Sequence, residues 1–190
     1  VGKVDKIINK GADPKSLVMM VFSTTNPYNS KDAFALTSFA DVMNIKLIEQ
    51  LREEKGGVYG VSASGNMNRV PYQSSSFYIT FPCAPDNVDT LTKAALDEMR
   101  KIIKSGVTAE DLEKIKEQQR RKLEVEMKQN QFWMSSLYDA YFFGTKPADI
   151  LQKPKMTEAL TSKMIQDAAK KYINFNNYIR ATLKPDKNEE

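Results

Sequence analysis

Histidine is absent from the 190-residue sequence, and cysteine occurs once, at Cys83. The first absence excludes a histidine-ligated zinc site, a Ser-His-Asp triad and a Cys-His dyad within this chain. The second excludes an internal disulfide and a thiolate metal cluster. Cys83 sits in the apolar stretch FYITFPCAP, with no neighbour to lower its pKa, so it reads as a small buried residue rather than a nucleophile. No apolar run approaches the roughly 20 residues of a membrane-spanning helix, so no membrane span is expected. The opening VGKVDKIINKGADPK is polar throughout and shows no signal-peptide pattern. It begins with Val, which points to a processed product or a piece of something longer. SASGN has no following Lys or helix start, so it is not a phosphate loop. The charge is mildly basic, +4 with a pI near 9.0. The basic residues alternate with acidic ones, as in EDLEKIKEQQRRKLEVEMK, so no nucleic-acid partner is expected.

What remains is a globular composition, 41% hydrophobic and 27% charged, with length enough for one good core. SLVMMVFS (16–23) reads as a buried strand. A helix follows over about 31–54, with Leu36, Phe39, Met43, Leu47 and Leu51 on one face, widened by Phe34, Ala40 and Ile48. Ser30 is its expected N-cap. Gly56 and Gly57 end it. VYGVSASGN and SSFYITFPC predict two antiparallel strands, the second burying Phe77, Ile79 and Phe81. Asp86 is expected to cap a helix ending at Gly106. Thr108 to Asp111 carries a capping signature that opens a long helical region reaching Phe143, closed by Gly144. Trp133, Leu137 and Tyr141 mark the apolar side of its second half. TSKMIQDAAKKYI predicts the last helix, NYIRATLKP a final strand, and TKPADILQKP between them a short helix or loop. The order predicts a two-layer α+β sandwich with a mixed or antiparallel sheet and helices on one face. One domain spans 1–190, with 1–15 a possible connector from a preceding domain.

The stretch LREEKGGVY, Leu51 to Tyr59, carries the candidate chemistry. A cation near a helix C-terminus complements the dipole, and a tyrosine is common in a strand, so both residues have a purely structural explanation. The tight Gly-Gly break also lets helix and strand ends lie close together. A guanidinium and a phenol at such a corner supply several donors and no negative charge, which suits a peptide carbonyl or the oxyanion formed from it. Glu53 and Glu54 are not a catalytic pair, because neighbours on a helix diverge by about 100°.

LREEKGGVYGVSA resembles a signature in the C-terminal half of the M16 zinc metallopeptidases, the family of pitrilysin, insulin-degrading enzyme and mitochondrial processing peptidase. KGADPKSLVMMVF, SSFYITFPCAPDNVDTLTKAALDEM and GVTAEDLEKIKEQQRRKLE extend the resemblance over most of the chain. It implies an M16-type fold, also called LuxS-like, and a domain that binds no metal itself. The family's His-x-x-Glu-His zinc motif lies in its N-terminal half. By resemblance, Arg52 would bind a substrate backbone carbonyl and Tyr59 would donate to the carbonyl oxygen as it becomes an oxyanion. The substrate would be an extended or unfolded polypeptide lying along a strand edge. The partner would be an N-terminal M16 domain of the same or another chain, carrying the zinc, and this chain alone would be inactive. The alternative is a non-catalytic scaffold or peptide-binding subunit paired with a separate metal-bearing chain. A periplasmic location is a guess by resemblance only.

Overall fold

A computed structural model of the chain describes residues 2–53 and 60–186, the side chains of 51–53 excepted. They divide into two compact units, one running to Val107 and resuming at Lys163, the other spanning Thr108–Ser162.

The first unit is built on a five-stranded mixed sheet of order β1-β5-β2-β4-β3. Its strands are β1 (Lys3–Asn9), β2 (Ser16–Thr25), β3 (Ser62–Asn68), β4 (Ser74–Cys83) and β5 (Tyr178–Lys184). β1 and β5 run parallel; the other neighbours are antiparallel. Three helices cover one face: α1 (Ser30–Glu53), α2 (Val88–Ser105) and α6 (Ser162–Tyr172). The alternation of β2 and β4 explains the layering. Val18, Met20 and Phe22 of β2, with Phe77, Ile79 and Phe81 of β4, are buried beneath the helices. They meet Leu36, Phe39, Met43 and Leu47 of α1 and Leu91 and Met99 of α2, all fully buried. The Phe39 and Phe77 rings pack at 4.8 Å, and Phe22 stacks on Tyr178 at 4.9 Å. Each such ring contributes about 1.5–3 kcal/mol by leaving water. Cys83 is buried, and burial pushes its thiol pKa up, as expected of a packing residue.

Several local expectations are revised. Asn29, not Ser30, caps α1: its side-chain oxygen accepts from the backbone N–H groups of Lys31 (2.9 Å) and Asp32 (3.1 Å). Asp86 caps no helix; it lies in a 3-10 turn, Pro85–Asn87, that leads into α2. Ile48 turns outward, 44% exposed, rather than widening the apolar face. Residues 3–9, within the stretch considered as a connector, form the edge strand β1.

The second unit is helical. Thr108 accepts from the Asp111 N–H at 3.1 Å and starts α3 (Ala109–Glu126), as its capping signature predicts. The single helical region expected up to Phe143 breaks at 127–129, and α4 (Asn130–Phe142) follows. Gln129 takes an extended conformation, and the Trp133 indole N–H donates to the Met127 carbonyl at 2.9 Å, satisfying a C-terminal carbonyl of α3. Gly144, at φ 66°, closes α4. A 3-10 turn, Pro147–Gln152, leads into α5 (Lys153–Glu158). Arg120 of α3 grips Glu158 of α5 with two hydrogen bonds, 2.6 and 3.1 Å.

Candidate functional site

The site is built where α1 lies along β3. The Asn44 side chain clasps one residue of β3, donating to the Ala63 carbonyl at 2.9 Å and accepting from the Ala63 N–H at 2.7 Å. About two turns upstream, the Thr37 hydroxyl donates to the Gly65 carbonyl at 3.1 Å. Gly65 has no alternative at this contact: a Cβ there would stand 2.6 Å from the Leu36 carbonyl oxygen. From Thr37 to Asn44 the helix moves forward while the strand contact moves back from Gly65 to Ala63. Helix and strand are therefore antiparallel, and the end of α1 and the start of β3 share one end of the layer.

Near that end, the Gln50 amide donates to the Glu98 carboxylate of α2 at 2.9 Å. Glu98 is only 3% exposed, with Lys101 3.6 Å away. A buried carboxylate is costly without such partners, so this bridge ties the last turns of α1 to α2. Arg52 stands in the final turn of α1; its side chain lies outside the described residues. Tyr59, with all of 54–59, lies outside them too. Asn44, Gly65, Gln50 and Glu98, which hold the helix end, escaped sequence reasoning. Only the SASGN glycine, where an alternating strand loses its side chain, hinted at a close approach.

The free edge of β3 is already engaged. Both main-chain groups of Ala63 and the carbonyl of Gly65 are taken by α1 side chains. A peptide adding as a strand at these residues would have to displace Asn44 and Thr37.

At the other end of α1, Asp32 joins it to α6. Its carboxylate accepts from Tyr172 at 2.6 Å and from Lys171 at 2.7 Å. Burial alone raises its pKa, but the hydrogen bonds from Lys171 and Tyr172 prevail and hold it below the usual carboxylate range.

Among the described residues no three acidic or cysteine side chains converge to hold a metal ion. With no histidine and one buried, protonated thiol, the donor set does not fit a zinc site. Nor is any described helix long and apolar enough to cross a membrane.

Comparison with known proteins places this geometry. Residues 1–119 match the family described as the peptidase M16 inactive domain. The chain is 21% identical over 153 residues to the probable zinc protease PqqL of Escherichia coli (strain K12), covering 80% of this chain and 16% of that protein. It is 25% identical over 150 residues to a zinc protease PQQL-like protein of Arabidopsis thaliana, covering 76% of this chain and 16% of that one. The chain thus spans about a sixth of either relative. The crystal structure of the periplasmic protease PqqL from E. coli superposes with a TM-score of 0.80 at 20% identity, over 96% of this chain and 20% of that one. A structure of the first half of PqqL also matches, with a TM-score of 0.73 at 16% identity, over 96% of this chain and 42% of that one. The ferredoxin protease FusC, solved as a point mutant in complex with Arabidopsis ferredoxin, matches at TM-score 0.81 and 16% identity, over 98% of this chain and 20% of that one. The chain belongs to the peptidase M16 inactive-domain family.

Proposed function

We propose that this chain is the substrate-gripping, non-metal-binding domain of a zinc metalloendopeptidase that hydrolyses extended peptides or unfolded polypeptides. The observation that carries the reading is Arg52 in the last turn of α1, at the end of the layer where β3 begins. Arg52 donates to a substrate backbone carbonyl, and the Tyr59 phenol donates to the scissile carbonyl oxygen as negative charge develops. The zinc and its activated water belong to a separate metal-bearing M16 domain, on the same or another chain. Because α1 side chains occupy the edge of β3 at Ala63 and Gly65, gripping falls to side chains rather than to strand addition there. The two units act as one domain, a reading supported by structural matches that cover 96–98% of the chain. The ferredoxin held by FusC supports a polypeptide rather than a small molecule as substrate. A periplasmic location follows the E. coli relative.

The test is turnover of an unfolded polypeptide by the complete enzyme. Tyr59→Phe is expected to lower kcat by roughly 100-fold or more, the scale of a lost oxyanion donor. Arg52→Ala is expected to lower kcat/KM, with zinc content unchanged in both variants. Unaltered turnover in both defeats the reading.

A second reading is favoured by the family's description as inactive: a peptide-holding scaffold whose metal-bearing partner is a separate chain. It predicts that the metal-bearing chain cleaves at the same rate with the Tyr59→Phe variant as with the unaltered one.

A further inference from the structure

The way α1 is seated changes along its length. Leu36, Phe39, Met43 and Leu47 are fully buried, whereas Ile48, one residue further, turns to water. Nearer to Arg52 the tie is polar: the Gln50 amide donates across to the Glu98 carboxylate of α2 at 2.9 Å. Glu98 is firmly placed, because Leu91, Ala95 and Met99 of the same helix are fully buried around it. Lys101, 3.6 Å from the carboxylate, keeps most of its own side chain in water and adds little to this hold. A buried carboxylate is an unfavourable way to join two helices, since apolar side chains of similar volume often stabilise as well or better. Its presence two residues before Arg52 therefore asks for a reason other than stability.

We infer that Glu98 is a positioning residue for substrate binding: acting through Gln50, it sets the direction in which the last turn of α1 presents Arg52. This rests on the reading of Arg52 as the group that binds a substrate carbonyl. An apolar contact is non-directional and would let the last turns roll or slide. A hydrogen bond of fixed length and angle does not. The lever is short, since Arg52 follows Gln50 by two residues, about 3 Å along the helix axis. Small errors at the substrate are severe: a misplacement of about 1 Å can reduce the rate roughly 100-fold. The kinetic signature is specific. Arg52 binds a carbonyl that does not react, so its loss falls on KM, whereas Tyr59 serves the reacting oxygen and its loss falls on kcat. Glu98, working through Arg52, belongs with KM.

The test uses the complete enzyme turning over an unfolded polypeptide, with melting temperature and zinc content measured alongside. Glu98→Leu removes the acceptor but keeps a buried side chain of similar size. Glu98→Gln keeps an oxygen that accepts from Gln50. Gln50→Ala removes the donor from the half-buried side of the bridge, where folding is not at stake. Glu98→Leu and Gln50→Ala are expected to raise KM roughly tenfold at unchanged kcat and zinc content, without a matching fall in melting temperature. Glu98→Gln stays within about twofold of the unaltered enzyme, and Glu98→Leu changes KM by no more than about twofold in an Arg52→Ala background. An unchanged KM in Gln50→Ala overturns the inference. So does equal loss in Glu98→Gln and Glu98→Leu, which assigns the effect to the charge, or a further rise beyond Arg52→Ala, which assigns it to another group. Impaired Arg52→Ala with intact Gln50→Ala removes the role of Glu98 and leaves the peptidase reading standing. If Arg52→Ala itself has no effect, the positioning role falls with it, and Tyr59→Phe reports on the peptidase reading separately.

Discussion

Asn44 is a small residue with a large share in the site. Its amide satisfies both polar groups of Ala63 at an otherwise open strand edge. Asn44→Ala leaves those groups without protein partners and is expected to cost about 1–2 kcal/mol, read as a lower urea midpoint. Gly65→Ala should cost as much or more, because the Leu36 backbone cannot yield as a side chain would. An unchanged midpoint for Gly65→Ala would mean that helix and strand part easily. At this scale the sequence was partly legible. The capping pattern of TAED gave Thr108, which does start α3, whereas LREEKGGVY offered Arg52 and Tyr59 only as candidates, by motif and resemblance. The residues that hold the helix end were not legible. Asn44, Gln50 and Glu98 look like ordinary polar positions on helices until the partner across space is known.

Among the elements, the α1–α6 junction is sensitive to pH. Asp32 is the shared acceptor of Lys171 and Tyr172, and its folded-state pKa lies below the ordinary value. A lowered carboxylate pKa stabilises the fold fully above about pH 4, and that contribution disappears as pH falls through the folded value. Asp32→Asn should therefore lower the melting temperature at pH 7, and the difference from the unaltered chain should shrink in acid. An equal gap at pH 7 and pH 3 would refute the ionic part of the contact. Elements with strong patterns were readable: β2 and β4 alternate, and α1 carries its apolar stripe. The helix break at 127–129 was not, since MKQ holds neither Gly nor Pro and the break is held by Trp133 reaching back. β1 was missed because KVDKIIN is exposed along its length and gains its order by pairing with a strand from the far end of the chain.

For the molecule as a whole, division of labour makes a simple prediction. This chain with added zinc should hydrolyse no peptide, and mixing it with the metal-bearing M16 domain should restore cleavage only if the two bind. Mass-spectrometric detection of cut peptide decides it; cleavage by this chain alone would refute the proposed division. The fold class was legible from element order. The apolar side chains exposed on the helix-free sheet face were not, because Leu17, Met19, Ile179 and Leu183 look like ordinary interior residues in a linear sequence.

β5 lies between β1 and β2 although it comes last in sequence among the described strands. During synthesis the sheet therefore stays open between β1 and β2 until Tyr178–Lys184 have been made. The Arg180 guanidinium, which then reaches Asp5 and Asp89, closes a loop of nearly the whole chain. Such late closure is slow. A nascent chain halted before Tyr178 would present β1 without a mate and β2 with a raw border, a species suited to capture by chaperones.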